Sequence, residues 1–418
     1  MRAVLLTIGD ELLIGQIINT NAAWLGEQLS ETGIDLARIV TVGDDPDELH
    51  RELDRSIRDS DLVILTGGLG PTHDDITRDV VAEYFGVELQ FNADVFDDIS
   101  RQFEGRGRNI PASNRAQAMV PAGFEVLRNT AGTAPGLWRA FTLDGRERIV
   151  AVMPGVPHEM EGLFRREVQP RLRARKDLRI ISHRTLRTAG IGESTLQEEI
   201  GDLGDLLSSS LRLAYLPNSS GVRLRMSAFG RSIKEVDALL RHLDDRLRER
   251  IGSYIYGTGE EALEEVVGRM LLARGLTIAV AESCTGGHVS HQITNVSGSS
   301  AYMAGGIIAY SNRVKTDLLG VDADLLENEG AVSEAVARLM AEGVRRRFGA
   351  HIGISTTGIA GPTGGTPDKP VGSVWIALAD EQRTEAVLLH LAKERILNKE
   401  MTTTALLNLV RLRISSSK

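Results

Sequence analysis

The residues with the strongest potential for chemistry lie in the last third of the chain, around a serine. Ser283 falls in the segment 282–287, which follows a predicted strand and opens a predicted helix. Backbone N–H groups at the start of a helix stabilise an anion or a tetrahedral oxyanion. Lys315 and Tyr310 lie just past a second predicted strand, and a lysine with a lowered pKa can deprotonate a serine. The combination favours nucleophilic catalysis by Ser283.

Two alternatives stay open within the same segment. Cys284 is a rival nucleophile, because a thiol is intrinsically more nucleophilic than a hydroxyl. His288 and His291 lie three residues apart on the predicted helix, where two histidines could contribute to a metal site. No third ligand accompanies them in the motif, so we interpret both histidines as surface residues.

A glycine-rich loop follows a third predicted strand in this region. It covers 357–365 and precedes Lys-Pro-Val-Gly at 369–372. Glycines let the backbone approach a ligand closely, and open α/β sheets bind ligands at the carboxyl ends of their strands. Each glycine-rich segment alone could be an ordinary turn. Four such segments at predicted strand ends in one domain favour a ligand site.

A second group of residues suited to chemistry lies near the N-terminus, at 66–77. Its glycines follow an apolar strand, where backbone N–H groups can cradle a phosphate. The carboxylates of Asp74 and Asp75 suit a hard divalent cation that bridges to phosphate oxygens. Asp44 and Asp45 follow another predicted strand and could join them. In the alternative interpretation, the aspartate pair merely caps the following helix.

The elements that must position these residues alternate between strands and helices. In residues 1–170, a periodic apolar pattern predicts a helix from Asn19 to Ser30, with Gly33 just past its end. The segment 61–66 is nearly all apolar, as expected of a parallel strand that is buried on both faces. The alternation predicts an α/β sandwich with a mostly parallel sheet. Its predicted strands are 3–8, 61–66 and 149–153.

Residues 171–255 predict a small α+β module, and 256–418 predict a second α/β domain. In the module, 171–175 are charged and linker-like, 222–228 alternate as in a half-buried strand, and 233–251 form an amphipathic helix. In the second domain, a capping box at 258–261 is predicted to start a helix that Gly275 ends. The strands predicted there are 277–281, 306–310, 352–356 and 373–379.

Composition and charge limit the class of protein. The 418 residues give room for two to three domains, and a net charge of −9 disfavours a dedicated nucleic-acid-binding protein. A single cysteine excludes an intrachain disulfide and favours a reducing compartment. No apolar run approaches the roughly 20 residues of a membrane helix, and the apolar run near Met1 lacks the features of a secretory signal. We therefore expect a cytoplasmic protein.

The C-terminal motifs resemble, as a set, the C-terminal domain of the CinA family. The resemblance covers nearly all of 258–418 and rests on Ala-Glu-Ser-Cys-Thr-Gly-Gly (281–287), Tyr-Ser-Asn…Lys (310–315), Gly-Ala-Val-Ser (330–333), Gly-Ile-Ala-Gly-Pro (358–362) and Lys-Pro-Val-Gly (369–372). This family contains nicotinamide-nucleotide amidohydrolases. The resemblance therefore implies hydrolysis of nicotinamide mononucleotide to nicotinate mononucleotide and ammonia, through an acyl-enzyme and without a cofactor.

The same resemblance implies roles for individual residues. Ser283 would be the nucleophile, Lys315 its general base, and Tyr310 a partner in proton transfer. Around 392–398 the chain departs from the family, which often has Gly-Asp-Arg where this chain has Lys-Glu-Arg, so the register of Arg395 as a phosphate ligand is open. The substrate-binding residues implied here are Glu282, Thr285, Gly286, Gly287, Gly358, Ala360, Gly361 and Arg395.

Residues 1–170 resemble the molybdopterin-binding-like domain of CinA proteins. The resemblance rests on 66–77 together with 9–13, 19–21, 132–136 and 153–159. It implies a metal-dependent ADP-ribose pyrophosphatase that yields AMP and ribose 5-phosphate. The implied ligands of the divalent cation, which would be Mg²⁺, Mn²⁺ or Co²⁺, are Asp44, Asp74 and Asp75. The implied substrate-binding residues are Asn19, Asn21, Gly67, Gly68, Gly70, Thr72, Gly155 and Glu159.

The middle module is KH-like in the family. Gly-Asp-Leu-Gly at 201–204 has the spacing of a nucleic-acid clamp, but Asp202 would repel phosphate. We therefore interpret the module as a spacer or dimerisation element and the arginine-rich helix at 241–250 as a solvated face. The resemblance also implies a homodimer. Two alternatives to the bifunctional hydrolase stay open: a deamidase whose N-terminal domain only binds nucleotide, and a non-enzymatic partner in competence or DNA recombination.

Overall fold

The computed structural model describes residues 1–104, 110–175, 179–219 and 221–416. Packing divides these residues into two compact units. One consists of 1–182 with 229–237, and the other of 183–228 with 238–418. Among the described residues, no helix combines the length and the apolar character needed to span a bilayer.

The N-terminal domain is built on a six-stranded sheet, with a separate two-stranded ribbon. The strands are β1 (Arg2–Ile8), β2 (Asp35–Val42), β3 (Leu62–Thr66), β4 (Leu89–Phe91), β5 (Met119–Pro121), β6 (Glu125–Leu127), β7 (Gly136–Leu143) and β8 (Arg146–Met153). The sheet order is β2-β1-β3-β8-β7-β6, and β4 pairs with β5. The first four strands of the sheet are parallel to one another, β7 pairs antiparallel with β8, and β6 pairs antiparallel with β7. The mostly parallel sheet is as the sequence predicts.

Helices cover both faces of this sheet. They are α1 (Asp10–Leu13), α2 (Thr20–Glu31), α3 (Pro46–Asp59), α4 (Thr77–Tyr84), α5 (Ala93–Glu104), α6 (Ala112–Ala116), α7 (Pro157–Leu163) and α8 (Gln169–Arg173), with a π-helical turn at Phe164–Val168. Alternate residues of β1 enter opposite cores: Leu6 packs with α3 and α4, and Leu5 packs with α2 and α7. All five residues of β3 are buried, which confirms the expectation of a strand covered on both faces.

The middle module contains a four-stranded sheet and two helices. The strands β9 (Ile180–Thr188), β10 (Leu211–Asn218), β11 (Gly221–Gly230) and β12 (Ile255–Thr258) pair in the order β10-β11-β9-β12, and the helices are α9 (Glu193–Ile200) and α10 (Ile233–Ile251). The predicted alternation at 222–228 and the predicted helix at 233–251 are confirmed. The linker predicted at 171–175 is wrong, because α8 extends to Arg173 and Leu172 is fully buried.

The C-terminal domain is a second α/β sandwich. Its strands are β13 (Ile278–Glu282), β14 (Met303–Ile308), β15 (Ile352–Gly358), β16 (Ser373–Ala379) and β17 (Thr384–His390), in the order β14-β13-β15-β16-β17. The first three strands are parallel to one another, β16 pairs antiparallel with β15, and β17 pairs antiparallel with β16. The helices are α11 (Leu263–Ala273), α12 (His288–Thr294), α13 (Asn312–Leu319), α14 (Ala323–Asn328), α15 (Glu334–Phe348) and α16 (Arg395–Ser416), with a 3₁₀ turn at Ser299–Ala301.

The predicted capping box at 258–261 does not start a helix. Glu261 does accept hydrogen bonds from the N–H and hydroxyl of Thr258, but Thr258 ends β12. The helix α11 begins at Leu263, and Glu265 accepts a 3.0 Å hydrogen bond from the N–H of Ala262. Glu261 and Glu265, four residues apart, could each accept the backbone N–H that closes a capping turn. Because Thr258 pairs with β9 as part of β12, the helix starts at the turn that Glu265 closes.

Candidate active sites

The structure brings Ser283 and Lys315 together at the carboxyl edge of the C-terminal sheet. Ser283 follows β13 directly, and Lys315 lies in α13, just after the neighbouring parallel strand β14. The Lys315 ammonium donates to Ser283 Oγ at 3.1 Å and to the Ala309 carbonyl at 2.7 Å. Lys315 is only 1% exposed, and burial lowers its pKa. The lysine is thus both within reach of the serine proton and biased toward the neutral amine that can accept it.

The backbone N–H groups around Ser283 differ in what they contact. The Ser283 N–H is occupied by the Thr356 carbonyl at 3.0 Å. Within the described parts of the chain, the N–H groups of Cys284 and Thr285 have no hydrogen-bond partner in another residue. An N–H group beside a nucleophile can polarise a carbonyl and stabilise an oxyanion, but Thr285 is fully buried and Cys284 is only 7% exposed, so the Thr285 N–H is not open to a substrate.

The structure corrects the prediction that Glu282 and Thr285 bind substrate. Glu282 is 1% exposed and Thr285 is fully buried. The Glu282 carboxylate accepts five hydrogen bonds, from the Thr285 hydroxyl, the N–H groups of Gly287, Val289 and Ser290, and the Ser290 hydroxyl. Glu282 therefore caps the start of α12, and the helix N–H groups expected to hold an anion are already occupied.

Cys284 is unsuited to nucleophilic attack. Its side chain belongs to the hydrophobic core under the sheet, and burial raises the pKa of its thiol to about 11. The thiolate, which is the reactive form, is therefore nearly absent at neutral pH. His288 accepts or donates a 2.8 Å hydrogen bond with Thr403, while His291 is exposed. In the described ranges no group of three or more His, Cys, Asp or Glu side chains is placed to hold a metal ion.

Tyr310 and Arg395 meet at the open side of this site. Arg395 donates to the Tyr310 hydroxyl at 3.0 Å and to the Gly361 carbonyl at 3.1 Å. Tyr310 is 62% exposed, so its ring is available to a ligand. Both glycines predicted in the 358–361 loop serve packing, since a Cβ at Gly358 would lie 2.7 Å from the Val374 Cα and one at Gly361 would lie 2.9 Å from the Lys393 carbonyl oxygen. Ala360 is buried between them.

Two residues near Ser283 are absent from the sequence predictions. Lys399 lies one turn after Arg395 on α16, and its Nζ would be 3.9 Å from a Cβ built on the exposed Gly286. Ile308 ends β14 with 55% of its surface exposed, and its Cδ1 would be 3.2 Å from a Cβ on Gly287. The spacing of Arg395 and Lys399, four residues apart on one helix face, is the signal that could have found the lysine.

A cavity of about 480 Å³ lies at the carboxyl edge of the N-terminal sheet. Among the described residues that line it there is no lysine, arginine or histidine, whereas Glu11 joins the acidic residues of the predicted set. Thr72 does not line this cavity. The predicted residues that do are Asn19, Asn21, Asp44, Gly67, Gly68, Gly70, Asp74, Asp75, Gly155 and Glu159.

Asp75 lines this cavity and also accepts hydrogen bonds from the glycine-rich turn. Its two oxygens accept hydrogen bonds from the Gly70 N–H at 2.7 Å and from the Thr72 N–H at 2.9 Å, and the Thr72 hydroxyl also donates to it. Asp75 and Thr72 thus brace the glycine-rich turn. Neither residue caps α4, whose first residue follows Ile76 without a side-chain cap.

Asp44 lies in a concentration of negative charge. It exchanges hydrogen bonds with Asp10, each backbone N–H donating to the other carboxylate. Burial, together with the charges of Asp10, Glu11 and Asp74, raises the Asp44 pKa. Asp45, by contrast, caps α3 through the Glu48 N–H. Among the described residues, no three His, Cys, Asp or Glu side chains are placed here to hold a metal ion. A cation would therefore need additional oxygens from a bound ligand.

The asparagines and Glu159 mainly hold the walls of this cavity. Asn19 caps α2 and donates to the Thr7 hydroxyl at 2.9 Å. Asn21 donates to the Gly155 carbonyl at 2.7 Å. Glu159 accepts a 2.7 Å hydrogen bond from Asn129. Gly67 and Gly68 have positive φ angles, +110° and +64°, which the turn after β3 requires.

The Gly-Asp-Leu-Gly loop of the middle module is internally satisfied. Asp202 accepts from the Gly204 N–H at 2.8 Å, and Arg250 donates to the carbonyls of Asp202 and Ile200. The sequence predicts that the arginine-rich helix carrying Arg250 is a solvated face, and this prediction is wrong in part. Asp244 on this helix is buried and pairs with Arg184 and Arg248.

Comparisons with known proteins agree with this architecture. Three family models match: "Probable molybdopterin binding domain" at 4–174, "Damage-inducible protein CinA KH domain" at 183–257 and "CinA C-terminal domain" at 260–414. A "CinA-like protein" of Salinibacter ruber is 52% identical, over 99% of this chain and 100% of its own length. One of Chloroherpeton thalassium is 47% identical, with 100% of both chains covered.

Among solved structures, the crystal structure of "the protein CinA with unknown function from Thermoplasma acidophilum" is 34% identical and covers 40% of this chain and 96% of its own, with a TM-score of 0.37. Relatives named CinA-like protein are about one half identical to this chain over its full length, and three family models match it one after another. Both findings assign the same family. The chain belongs to the CinA family.

Proposed function

We propose that the C-terminal domain hydrolyses the carboxamide of nicotinamide mononucleotide to give nicotinate mononucleotide and ammonia. The observation that carries this proposal is the 3.1 Å hydrogen bond between the buried Lys315 amine and Ser283 Oγ. Neutral Lys315 takes the Ser283 proton as Oγ attacks the amide carbon. The tetrahedral intermediate collapses to an acyl-enzyme, and Lys315 returns the proton to the leaving ammonia. Water then hydrolyses the ester by the same route.

Neighbouring groups support the two ends of such a substrate. The N–H group of Cys284, which has no hydrogen-bond partner in another described residue, is suited to receive the developing oxyanion. Arg395 and Lys399 provide two cations for a 5′-phosphate. The exposed Ile308 and Tyr310 provide apolar surface for a pyridine ring.

The deciding experiment is ammonia release from nicotinamide mononucleotide, with the wild type compared with Ser283→Ala and Cys284→Ala. We expect release to vanish with Ser283→Ala and to survive Cys284→Ala, because Lys315 is hydrogen-bonded to the Ser283 hydroxyl whereas the Cys284 thiol packs in the hydrophobic core. No release from folded wild type would refute the deamidase. A non-enzymatic role in DNA uptake would then regain support if the chain also bound DNA with strong salt dependence.

For the N-terminal domain we propose a metal-dependent ADP-ribose pyrophosphatase. The observation in favour is a cavity that joins a glycine-rich turn to carboxylates and carries no cationic side chain among its described residues. A diphosphate needs positive charge to enter such a cavity. Magnesium-type sites commonly use one or two carboxylates and complete the shell with substrate phosphates, which fits Asp44 and Asp74 without a third protein ligand. When bound, the cation would neutralise the diphosphate and polarise its phosphoryl oxygens.

This second activity is tested by AMP formation from ADP-ribose in the presence of Mg²⁺, Mn²⁺ or Co²⁺. Asp44→Asn should abolish it, because Asp44 lines the cavity. Asp47→Asn is the matched control, since Asp47 lies in the first turn of α3 outside the cavity lining. Equal AMP formation by both variants would refute the assignment, and binding without turnover would favour a nucleotide-binding role.

We further propose a cytoplasmic homodimer.

A further inference from the structure

The segment 12–18, which runs from the end of α1 into the loop before α2 and is called the loop below, exposes an unusual amount of apolar surface beside the N-terminal cavity. Within six residues, Leu13, Ile14, Ile17 and Ile18 are 53%, 75%, 51% and 86% exposed. Large exposed aliphatic side chains scattered singly are ordinary, but a contiguous group marks a surface that contacts something.

The loop divides into two sides. Leu12, Ile17 and Ile18 line the cavity, whereas Leu13 and Ile14 do not. Both ends of the loop are held: the N–H groups of residues 16 and 17 donate to the Glu11 carbonyl, and the Thr20 N–H donates to the Ile18 carbonyl at 2.8 Å. The cavity-facing aliphatic side chains are therefore presented by a fixed turn.

We propose that Leu12, Ile17 and Ile18, called the aliphatic ledge from here on, bind the heterocyclic base of a nucleotide whose phosphates lie at the glycine-rich turn. This proposal rests on the N-terminal function proposed above and adds the group that selects the substrate. The rest of the cavity lining combines carboxylates, amides, hydroxyls and glycines with apolar side chains such as Ile8, Leu69 and Val156, which are not part of this exposed segment. The base is the one flat, uncharged portion of a nucleoside diphosphate, and it alone gains from contact with aliphatic side chains.

The ledge has a consequence for specificity. Its three side chains contain no hydrogen-bonding group, so they cannot read the edge of a base. The ledge therefore requires a base but accepts different purines. A site that binds only the phosphosugar would treat AMP and ribose 5-phosphate alike.

The test is calorimetric binding of AMP, GMP and ribose 5-phosphate to the full chain with Mn²⁺ present. The wild type should bind AMP and GMP within a few-fold of each other and both roughly 10-fold or more tighter than ribose 5-phosphate. Ile18→Ser should remove most of this preference and leave ribose 5-phosphate binding unchanged. Ile14→Ser, a matched change on the outward side of the same loop, should keep the wild-type preference.

Three results would overturn the ledge: AMP binding by Ile18→Ser equal to that of the wild type, no preference of the wild type for AMP over ribose 5-phosphate, or an equal loss in Ile14→Ser. The last result would point to the loop as a contact between copies of the chain. Hydrolysis of ADP-ribose is measured separately. Ile18-dependent AMP binding without hydrolysis would keep the ledge and reject the pyrophosphatase, whereas hydrolysis unaffected by Ile18→Ser would do the reverse.

Discussion

Ser283 and Cys284 are adjacent in sequence but have opposite environments. The hydroxyl of Ser283 faces the amine of Lys315, while the thiol of Cys284 is packed into the apolar core. A turn at the end of a strand directs successive side chains to different sides. Ser283 and Cys284 are almost equally buried, 9% and 7% exposed, so the direction of the side chain decides which one reacts, and the intrinsic nucleophilicity of the thiol does not.

The thiol should be nearly inert in the folded protein. Burial raises the Cys284 pKa to about 11, so little thiolate exists at pH 8. We expect slow reaction with a disulfide reagent under native conditions and rapid reaction of one thiol per chain after denaturation, since the chain has a single cysteine. Rapid labelling of native protein would contradict the buried position.

Lys315 should give the deamidase a distinctive pH dependence. The neutral amine is the active form, so kcat/KM should fall as the pH decreases through the Lys315 pKa. Because burial lowers that pKa, the midpoint should lie below the ordinary value of 10.5. Lys315→Met should reduce the rate by roughly 100-fold or more and remove this limb. A variant that keeps both the rate and the limb would exclude Lys315 as the base.

Among elements, α12 depends on one side chain before it. Glu282 accepts the N–H groups of Gly287, Val289 and Ser290 within the first turn of the helix. A carboxylate at this position satisfies donors that lack partners in the helix and interacts favourably with its dipole.

Replacement of Glu282 by alanine should therefore destabilise the fold. Loss of the buried acceptor leaves several donors unsatisfied, and we expect a decrease of about 2–4 kcal/mol in the unfolding free energy. Thermal and urea denaturation would measure this effect. If Glu282 were instead a substrate ligand, Glu282→Ala would keep its stability and show an increased KM for nicotinamide mononucleotide.

The pair Asp380–Arg413 ties the turn after β16 to the last turns of α16. Burial opposes ionisation of Asp380, but hydrogen bonds from Arg413 and from the N–H groups of Arg383 and Gln382 outweigh it and hold the pKa at about 2. A folded-state pKa below the ordinary 3.8 stabilises the fold above that pH, and the stabilisation disappears as the pH falls toward 2.

This linkage predicts the acid behaviour of an Asp380→Asn variant. The wild type should exceed the variant in stability by an amount that is constant above about pH 5 and that shrinks by about 2 kcal/mol as the pH falls through 3.8 toward 2. Thermal midpoints recorded for both proteins between pH 3 and 7 would show the convergence. A difference that stays constant down to pH 3 would mean that Asp380 titrates normally in the fold.

For the whole molecule, the two proposed activities should respond differently to metal removal. The N-terminal cavity lacks cationic side chains among its described residues, whereas the C-terminal site supplies Lys315, Arg395 and Lys399 itself. A chelator should abolish AMP formation from ADP-ribose and leave ammonia release unchanged in the same sample. Addition of Mg²⁺, Mn²⁺ or Co²⁺ in turn would identify the active cation. Loss of both activities would contradict a metal-free deamidase.

The sequence by itself determined the family and several of the elements. Burial follows the period of the apolar pattern, so three segments each specified an element without knowledge of its neighbours. They are the nearly all-apolar segment 61–66, the alternating segment 222–228 and the amphipathic segment 233–251. The motif around Ser283 and Lys315 likewise predicted a shared site, because the carboxyl ends of parallel strands meet at one edge of a sheet.

Only the tertiary structure decided what each polar side chain contacts. The sequence predicts that Glu282 binds substrate and that Asp75 binds a metal ion, yet in the structure both carboxylates accept hydrogen bonds from backbone N–H groups. Lys399 lies far along the chain from Gly286 and reaches it because α16 begins at this edge of the sheet. A periodic pattern encodes whether a residue is buried but not which donor or acceptor meets it, and that information exists only once the chain has folded.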